Sequence, residues 1–327
     1  MATESGLANG RQTRPAFSQD GRFLVYSFDD EADFTVEGKP RDHDGDVCLG
    51  VLPATGGQRR ASICHLRADS TFLRDGIEHG ALAADGTLAF VMHSGVVSSG
   101  TSTSGALFLA PVDSLAGARE VFRLKLRPPG ALGRWDDLLN PTWTDDHRLV
   151  ALASAIELVV PAPRAPPDTI YTGLEVIRFT FESSGTTWQR LATAGGAEML
   201  AWDGSANRGW VLRQNSVFDA LTGEIIYTIR HQPDASAEAI TGLATGGGGV
   251  FVSERVVRTM AGGTTQVDAR IARVITLDSA ATVLSSTTFG TDAVSWIRLA
   301  VSPDGRRFAF EQVGAGAWAI YTYDMVH

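Results

Sequence analysis

The residues of this chain that most plainly suggest metal chemistry are the three aspartates of RDHDGD, residues 41–46. Asp42, Asp44 and Asp46 alternate along the chain, and carboxylates at this spacing begin the calcium loop of an EF-hand. That loop also needs a glutamate at its twelfth position, where this chain has Pro53. The stretch therefore predicts no EF-hand. It leaves a weak Ca²⁺ site of shared carboxylates, with an acidic turn that starts a strand as the favoured alternative.

The two cysteines of the chain, Cys48 and Cys64, are the next candidates for chemistry. If the chain between them folds as a hairpin about Gly56, they lie directly opposite each other, where a disulfide can form. Two reduced, packed thiols are the alternative. A disulfide favours the periplasm or the periphery of a membrane complex, whereas two thiols favour the cytoplasm.

Other chemical signatures are absent from the sequence. It contains no GxSxG nucleophile elbow, no HExxH motif, no phosphate loop and no dinucleotide fingerprint. The formal net charge is −9 without any basic run, so we expect no nucleic-acid partner. No stretch resembles a signal peptide, and none approaches the roughly 18 apolar residues of a membrane span. We therefore expect a soluble protein and predict no cofactor beyond the weak Ca²⁺ site.

The elements that must position these residues come from an internal repeat. A strand, a tight Asp-Gly turn and a second strand recur six times, at residues 14–27, 79–92, 140–153, 198–212, 240–253 and 298–311. In the third copy His147 replaces the glycine, and the fifth copy has lost its aspartate. The turn glycine matters because such a turn requires a positive φ.

The spacing of the repeat predicts the architecture. The turn aspartates recur with a mean spacing near 57 residues, and two further strands follow most copies. Propeller blades have about 40–50 residues, so each copy is one four-stranded blade with added loops. The sequence therefore predicts an all-β fold: one six-bladed β-propeller domain over residues 1–327. The last copy lacks a fourth strand, which residues 7–13 at the N-terminus are expected to supply.

The repeat resembles the TolB-like β-propeller family, whose blades carry a Ser-Pro-Asp-Gly turn followed by an aromatic residue. Residues 302–305 match this turn and are followed by Phe308 and Phe310, and residues 18–21 match it with one change. The resemblance covers nearly the whole chain. It implies the propeller fold and does not select one activity, because such propellers include scaffolds and enzymes.

In a propeller of this kind, the tight turns lie on one face, here called the turn face. The other loops lie on the opposite face, here called the loop face. The insertions of this chain fall on the loop face, at residues 28–45, 67–78, 94–105, 126–140, 155–170 and 255–268. Loops on a rigid scaffold usually carry function. We therefore expect the loop face to be the working surface.

The main functional hypothesis from the sequence is a non-catalytic scaffold that binds other protein subunits. It could be an extrinsic subunit that docks on a bacterial membrane complex without a transmembrane segment of its own. The candidate partner-binding residues are charged or aromatic residues of the loop face: Asp29, Asp30, Glu31, Asp42, Asp44, Arg134 and Trp135. The alternative for Trp135 is packing over the blades.

The second hypothesis is a metal-dependent hydrolase or lactonase that acts at the mouth of the central channel. Six-bladed lactonases hold a metal there with carboxylates and amides. The predicted mouth residues come from the start of each first strand: Arg14, Glu78, His79, Asn140, Glu198 and Arg298. Arginines in this ring weaken the resemblance to a metal site. A binder of small ligands or sugars is a third, weaker hypothesis.

Overall fold

The structure is a computed structural model, and most of the chain is described in it. The described residues are 12–29, 35–36, 39–40, 47–64, 75–94, 104–124, 135–159, 168–229, 231–274, 281–289, 295–314 and 317–324. Strands make up nearly all of the regular structure in these ranges. The prediction of a six-bladed β-propeller is confirmed.

The first three blades contain fourteen strands. Blade 1 consists of β1 (Gln12–Phe17), β2 (Phe23–Asp29), β5 (Val47–Pro53) and β6 (Ala61–Ile63), with β3 (Thr35–Val36) and β4 (Lys39–Pro40) as a short hairpin in its insertion. Blade 2 consists of β7 (Asp75–Leu82), β8 (Thr87–Ser94), β9 (Ser104–Pro111) and β10 (Arg119–Arg123), with a 3-10 helix (Leu115–Gly117) before β10. Blade 3 consists of β11 (Trp135–Trp143), β12 (Leu149–Val159), β13 (Asp168–Glu182) and β14 (Gly185–Gly195).

The last three blades continue the pattern. Blade 4 consists of β15 (Met199–Asp203), β16 (Arg208–Arg213), β17 (Ser216–Asp219) and β18 (Ile225–Thr228). Blade 5 consists of β19 (Ala237–Gly246), β20 (Gly249–Thr259), β21 (Thr265–Val274) and β22 (Ala281–Phe289). Blade 6 consists of β23 (Ser295–Val301), β24 (Arg307–Gly314) and β25 (Ala317–Asp324).

The ring closes through the first strand of each blade. Neighbouring first strands contact one another from β1 to β23, and β1 in turn packs against β23, β24 and β25 of blade 6. The fourth strand that we expected at the N-terminus falls on residues 7–13, most of which lie outside the described residues. Gln12 and Thr13 belong to β1, where they pair with Phe28 and Ser27.

The core lies between the blades because the two faces of each blade contact different neighbours. In β2, Leu24 and Tyr26 pack with Ala309 of blade 6, whereas Val25 packs with Leu82 of blade 2. All of these side chains are at most 2% exposed. Period-two alternation along one strand therefore fastens each blade to both of its neighbours.

The tight turns adopt the predicted conformation. Gly21, Gly86 and Gly305 have positive φ, and His147, which replaces the glycine in blade 3, has φ of 57°. In blade 6 the Ser302 hydroxyl donates to Asp304 Oδ1 (2.6 Å) and accepts the amide of Arg307 (2.9 Å). Ser18 makes the equivalent hydrogen bonds in blade 1.

Two expected loops of the loop face are largely hairpins in the structure. Residues 255–268 were expected to form a loop, but β20 and β21 remain paired from Val250 to Thr259 and leave only a short turn. In blade 3, β12 and β13 remain paired as far as Val159 and Asp168. Regular backbone pairing therefore continues through both segments and extends these blades beyond their neighbours. No helix in the described part of the chain has the length and apolarity to cross a membrane.

Candidate functional site

A cavity of about 400 Å³ runs along the centre of the ring, and first-strand residues from all six blades line it. Its walls combine apolar side chains, including Phe17, Trp143 and Trp202, with polar groups such as Asn140 and Thr142. A cavity of this size is typical of small-molecule sites.

β-Bulges surround the end of the cavity that faces the loop face. The registers of five first strands, β1, β7, β11, β19 and β23, shift at this level. The bulged residues Arg14, Asn140 and Arg298 all adopt positive φ, of 54°, 49° and 51°. Non-glycine residues rarely take this conformation, and both bulges and backbone strain are concentrated at functional sites. The same uncommon backbone conformation at equivalent positions of three blades marks the mouth of the channel.

Glu311 of β24 is the carboxylate at this mouth. Its side chain is fully buried, and its Oε2 accepts a hydrogen bond from the backbone amide of Arg14 (3.3 Å). The same oxygen lies 3.7 Å from Nε of Arg298, whose side chain is 39% exposed. The other oxygen, Oε1, is buried and makes no hydrogen bond to any described residue. Pro15 and Leu299, which follow the two arginines, line the cavity.

Burial raises the pKa of Glu311 above its ordinary value of 4.5, although Arg298 and the Arg14 amide partly oppose the shift. Desolvation disfavours the ionised carboxylate, and the neighbouring positive charge does not fully compensate. A carboxyl whose pKa moves towards neutrality can both accept and donate a proton, which is the property required of a general acid–base group.

The other predicted mouth residues are placed less uniformly. Asn140 lines the cavity, and its Oδ1 accepts the amide of Leu200 from blade 4 (3.3 Å). His79 is buried in the bulge of β7 beside Glu78, and of Glu78 only the backbone is described. Glu198 is exposed and accepts the amide of Gln214 (3.0 Å), so it caps a turn of its own blade.

The described residues do not fit a divalent metal at the mouth. Glu311 is the buried carboxylate there, and its neighbours are two arginines, whose positive charge opposes a cation. No group of three or more His, Cys, Asp and Glu side chains within the described ranges is placed to hold a metal ion. Asp42, Asp44 and Asp46, the residues of the predicted Ca²⁺ site, lie outside the described residues.

Most of the predicted partner-binding residues also lie outside the described residues: Asp30, Glu31, Asp42, Asp44 and Arg134. Asp29 is the last residue of β2. Trp135 was assigned to the blade-to-blade loop, but the structure places it at the start of β11, paired with Ala155. The insertion before blade 3 is therefore shorter than expected, because the first strand begins five residues before the repeat motif.

The cysteines, for which the sequence left two alternatives, form a disulfide between Cys48 and Cys64. The register of β5 and β6 pairs Leu49 with Ile63, so the hairpin is centred on Gly56 as predicted. Cys48 is fully buried with Tyr26 and Phe28. The guanidinium of Arg59 lies 3.8 Å from the ring centre of Phe28. The bond therefore fastens the outer strand of blade 1 to its core.

A glutamine bridges three blades on the turn face. Gln19 of blade 1 accepts the amide of Ala84 in blade 2 (3.1 Å) at its Oε1. Its Nε2 donates to the carbonyl of Thr144 (3.2 Å) and to Asp145 Oδ1 (3.2 Å) in blade 3. Gln19 and Asp145 both line the cavity. One amide group thus spans this end of the channel.

Glu311 was missed in the candidate set from the sequence, although the sequence carries a signal. Its register partner is Ile297, and the corresponding positions in blades 1, 2 and 3 are Ser27, Met92 and Leu152. Blade 5 carries a second glutamate, Glu254, at the equivalent position. Comparing the copies position by position would therefore have distinguished both glutamates from the small or apolar residues of blades 1 to 3.

Comparisons with known proteins support the fold. Neither a protein-family model nor a curated protein matches the sequence. Among solved structures, a gluconolactonase of Xanthomonas campestris aligns at TM-score 0.48 and 16% identity over 96% of this chain and 87% of its own. An arabinanase of Bacillus subtilis aligns at TM-score 0.41 and 10% identity over 99% and 96%. A sialidase of Trypanosoma rangeli aligns at TM-score 0.48 and 9% identity over 96% and 55%.

These findings correct the main functional hypothesis. We expected a non-catalytic scaffold, but the three solved structures named above bear the names of enzymes, a lactonase among them. Repeat patterns could not reveal this, because scaffolds and enzymes share the same blades. At these identities the likeness concerns the fold, so any argument for a reaction must come from the geometry of the site. The strands of this chain themselves form the six-bladed propeller, and the comparisons do not identify the TolB-like family.

Proposed function

We propose that this protein is a hydrolase of small esters or lactones that acts at the loop-face mouth of the channel. The observation that carries the proposal is the buried carboxyl of Glu311, with a raised pKa, beside Arg298 and the strained backbone of Arg14. A cavity of about 400 Å³, with both polar and apolar walls, adjoins this group and can take the rest of a small substrate.

In the proposed reaction, Glu311 acts as the general base. Its carboxylate removes a proton from a water molecule as the water oxygen attacks the ester carbonyl. The carbon–oxygen bond to the alcohol then breaks, and the protonated Glu311 returns the proton to the leaving alkoxide. A positioned acid–base group of this kind contributes about 10²–10⁴-fold to a rate.

Arg298 stabilises the negative charge that develops on the carbonyl oxygen. In its ion pair with Glu311, the Arg298 side chain lies nearer the solvent, since it is 39% exposed while Glu311 is fully buried. A substrate oxygen that draws the guanidinium towards itself therefore uncovers the carboxyl. Charge-assisted hydrogen bonds of this type are roughly twice as strong as neutral ones. The proposal assigns no step to a metal, because the described donors do not fit one.

The test is hydrolysis of a panel of aliphatic lactones and p-nitrophenyl esters by the purified protein, followed in a pH-stat. The variant Glu311→Gln keeps the shape of the side chain and should lower kcat/KM by about 100-fold or more. The matched control is Glu254→Gln. Glu254 is also a buried glutamate of a second strand, but it accepts a hydrogen bond from Tyr227 between blades 4 and 5.

Wild-type protein that hydrolyses no member of the panel would count against the proposal. Equal losses in Glu311→Gln and Glu254→Gln would also refute it, because they would indicate a general effect of buried charge. Loss of activity in Glu311→Gln alone, with a circular-dichroism melt no lower than that of the wild type, supports the assigned role.

We also propose that the blades belong to the TolB-like repeat family. The support is the same Ser-to-Asp hydrogen bond, 2.6 Å in both cases, in the turns of blades 1 and 6. A set of homologous sequences in which this turn recurs in most blades would support the assignment. A set of homologues that lack this turn would contradict the assignment.

We further propose that the protein resides in an oxidising compartment such as the periplasm. The Cys48–Cys64 disulfide supports this, because such bonds persist where thiols are not kept reduced. Fractionation of native cells followed by thiol labelling tests it. Recovery of the protein in the cytoplasmic fraction with both thiols reactive would disprove it.

A further inference from the structure

A second cationic group lies close to the mouth and has no assigned role. Arg255 of β20 is partly buried, and its Nε is buried without a hydrogen bond to any described residue. No described carboxylate forms an ion pair with it. A buried N–H donor without a hydrogen bond costs free energy unless a ligand or solvent supplies the acceptor.

The orientation of Arg255 follows from the alternation along β20. Phe251, Ser253 and Arg255 share one face of the strand, and the ring of Phe251 contacts Phe308 of blade 6, with 5.5 Å between the ring centres. This face therefore packs towards β23, the strand that carries Arg298. Arg255 pairs with Ala239 near the start of β19, which places it at the loop face of the same blade boundary.

Arg258, three residues further along β20, shows how this chain satisfies an arginine with its own residues. Its guanidinium bonds Asp234 (2.7 Å), Asp268 and the amide oxygen of Gln232. The side chain is 19% exposed and completely paired with these acids. Among the described residues, no acid bonds the Nε of Arg255 in this way. This unsatisfied donor therefore suits a ligand that accepts hydrogen bonds through an anionic group.

We propose that Arg255 binds a carboxylate of the substrate, so that the substrate is an ester or lactone that also carries a free carboxylate. This inference rests on the proposed function: Glu311 and Arg298 act on the ester, and Arg255 holds the charged end one blade boundary away. A guanidinium binds a carboxylate through two parallel hydrogen bonds, which fixes orientation as well as position. Arg255 is thus a specificity-determining residue.

The first experiment measures binding alone, by titration calorimetry with succinate as the probe. We expect succinate to bind wild-type protein, the Arg255→Ala variant to bind it about 10- to 100-fold more weakly, and neutral succinamide not to bind. The matched control is Arg306→Ala, which removes one exposed cation from the turn face and should leave the affinity unchanged. An equal loss of succinate affinity in both variants would indicate that the affinity depends only on the net charge of the protein, and it would overturn the inference. Inorganic phosphate that binds as tightly as succinate would overturn the carboxylate assignment.

The second experiment separates this inference from the proposed function. Monomethyl succinate and dimethyl succinate share the same ester, and only the former carries a carboxylate. Arg255→Ala should raise KM for the monoester and leave KM for the diester unchanged. Hydrolysis of both esters without any effect of Arg255→Ala would refute the inference and leave the hydrolase intact. Succinate binding without hydrolysis of either ester would refute the hydrolase and keep the anion site.

Discussion

The carboxyl of Glu311 in the last blade accepts a hydrogen bond from the backbone amide of Arg14 in the first strand, across 297 residues of sequence. The bond links the two ends of the described chain at the level of the channel mouth. The residue proposed to perform the chemistry is therefore also a contact that closes the ring. This double role predicts that its charge state affects both activity and stability.

Replacement of Glu311 by Gln should raise the stability of the protein at neutral pH. The pKa of Glu311 is raised in the folded state, so the native protein binds the proton more tightly than the unfolded chain does. Wild-type stability therefore falls as the pH rises from 4.5 through the raised pKa, and the neutral variant escapes this penalty. Urea unfolding of both proteins between pH 4 and pH 8 measures the difference. It should be smallest at pH 4, and a constant difference would contradict the assignment.

Removal of the Cys48–Cys64 disulfide should destabilise blade 1. The bond closes a separation of 16 residues, for which restriction of the unfolded chain predicts a loss of about 3 kcal/mol. Thermal melting of the Cys48→Ala/Cys64→Ala double variant measures the effect, with fully reduced wild-type protein as the control. If both melt at the temperature of the oxidised protein, the bond contributes nothing to stability.

Replacement of His147 by Gly should stabilise the turn of blade 3. His147 has φ of 57°, a conformation in which side chains with a Cβ are strained by roughly 1–2 kcal/mol. Glycine loses part of this gain through its greater freedom in the unfolded chain, so we expect a net increase of about 0.5–1 kcal/mol in the free energy of unfolding.

The matched control for this prediction is Gly21→Ala, at the same turn position of blade 1. Gly21 has φ of 71°, and an added Cβ would lie 3.3 Å from Cδ of Pro303. This variant should lose stability in the same urea titration. Changes of the same sign in both variants would refute the explanation from backbone conformation.

Replacement of Asp304 by Ala should weaken the turn of blade 6 at neutral pH and have little effect in acid. Hydrogen bonds from the Ser302 hydroxyl and the Arg306 amide hold the pKa of Asp304 below 3.8. The stabilisation is therefore complete above pH 3.8 and is lost as the pH falls through the lowered pKa. At this exposed site the cost at pH 7 should be about 1 kcal/mol. Melting temperatures at pH 7 and pH 2.5 test this, and an equal loss at both would contradict it.

The local features of the fold were accessible from the sequence because short-range rules determine them. The conformation of His147 followed from its place in the repeat, and the opposition of Cys48 and Cys64 followed from the hairpin centre at Gly56. The positions of Arg14, Asn140 and Arg298 at equivalent points of three blades also followed from the repeat. Each inference required only neighbours in sequence or equivalent positions in another copy.

The candidate site was less accessible because it depends on which side chains meet across blade boundaries. Glu311 derives its environment from Arg14, and its significance requires knowledge of the ring closure. Arg255 was not predicted because an isolated arginine in a strand gives no signal in the sequence. Only the structure shows that its Nε is buried without a hydrogen bond to a described residue. Trp135 was placed in a loop because its strand extends beyond the repeat motif. Burial and pairing, which decide these three cases, are not local properties.

The bridge made by Gln19 has a mechanical consequence. Because one amide joins blades 1, 2 and 3 at the turn face, these blades form a sector that resists relative sliding. A displacement of one of these three blades at the turn face is therefore passed directly to the other two.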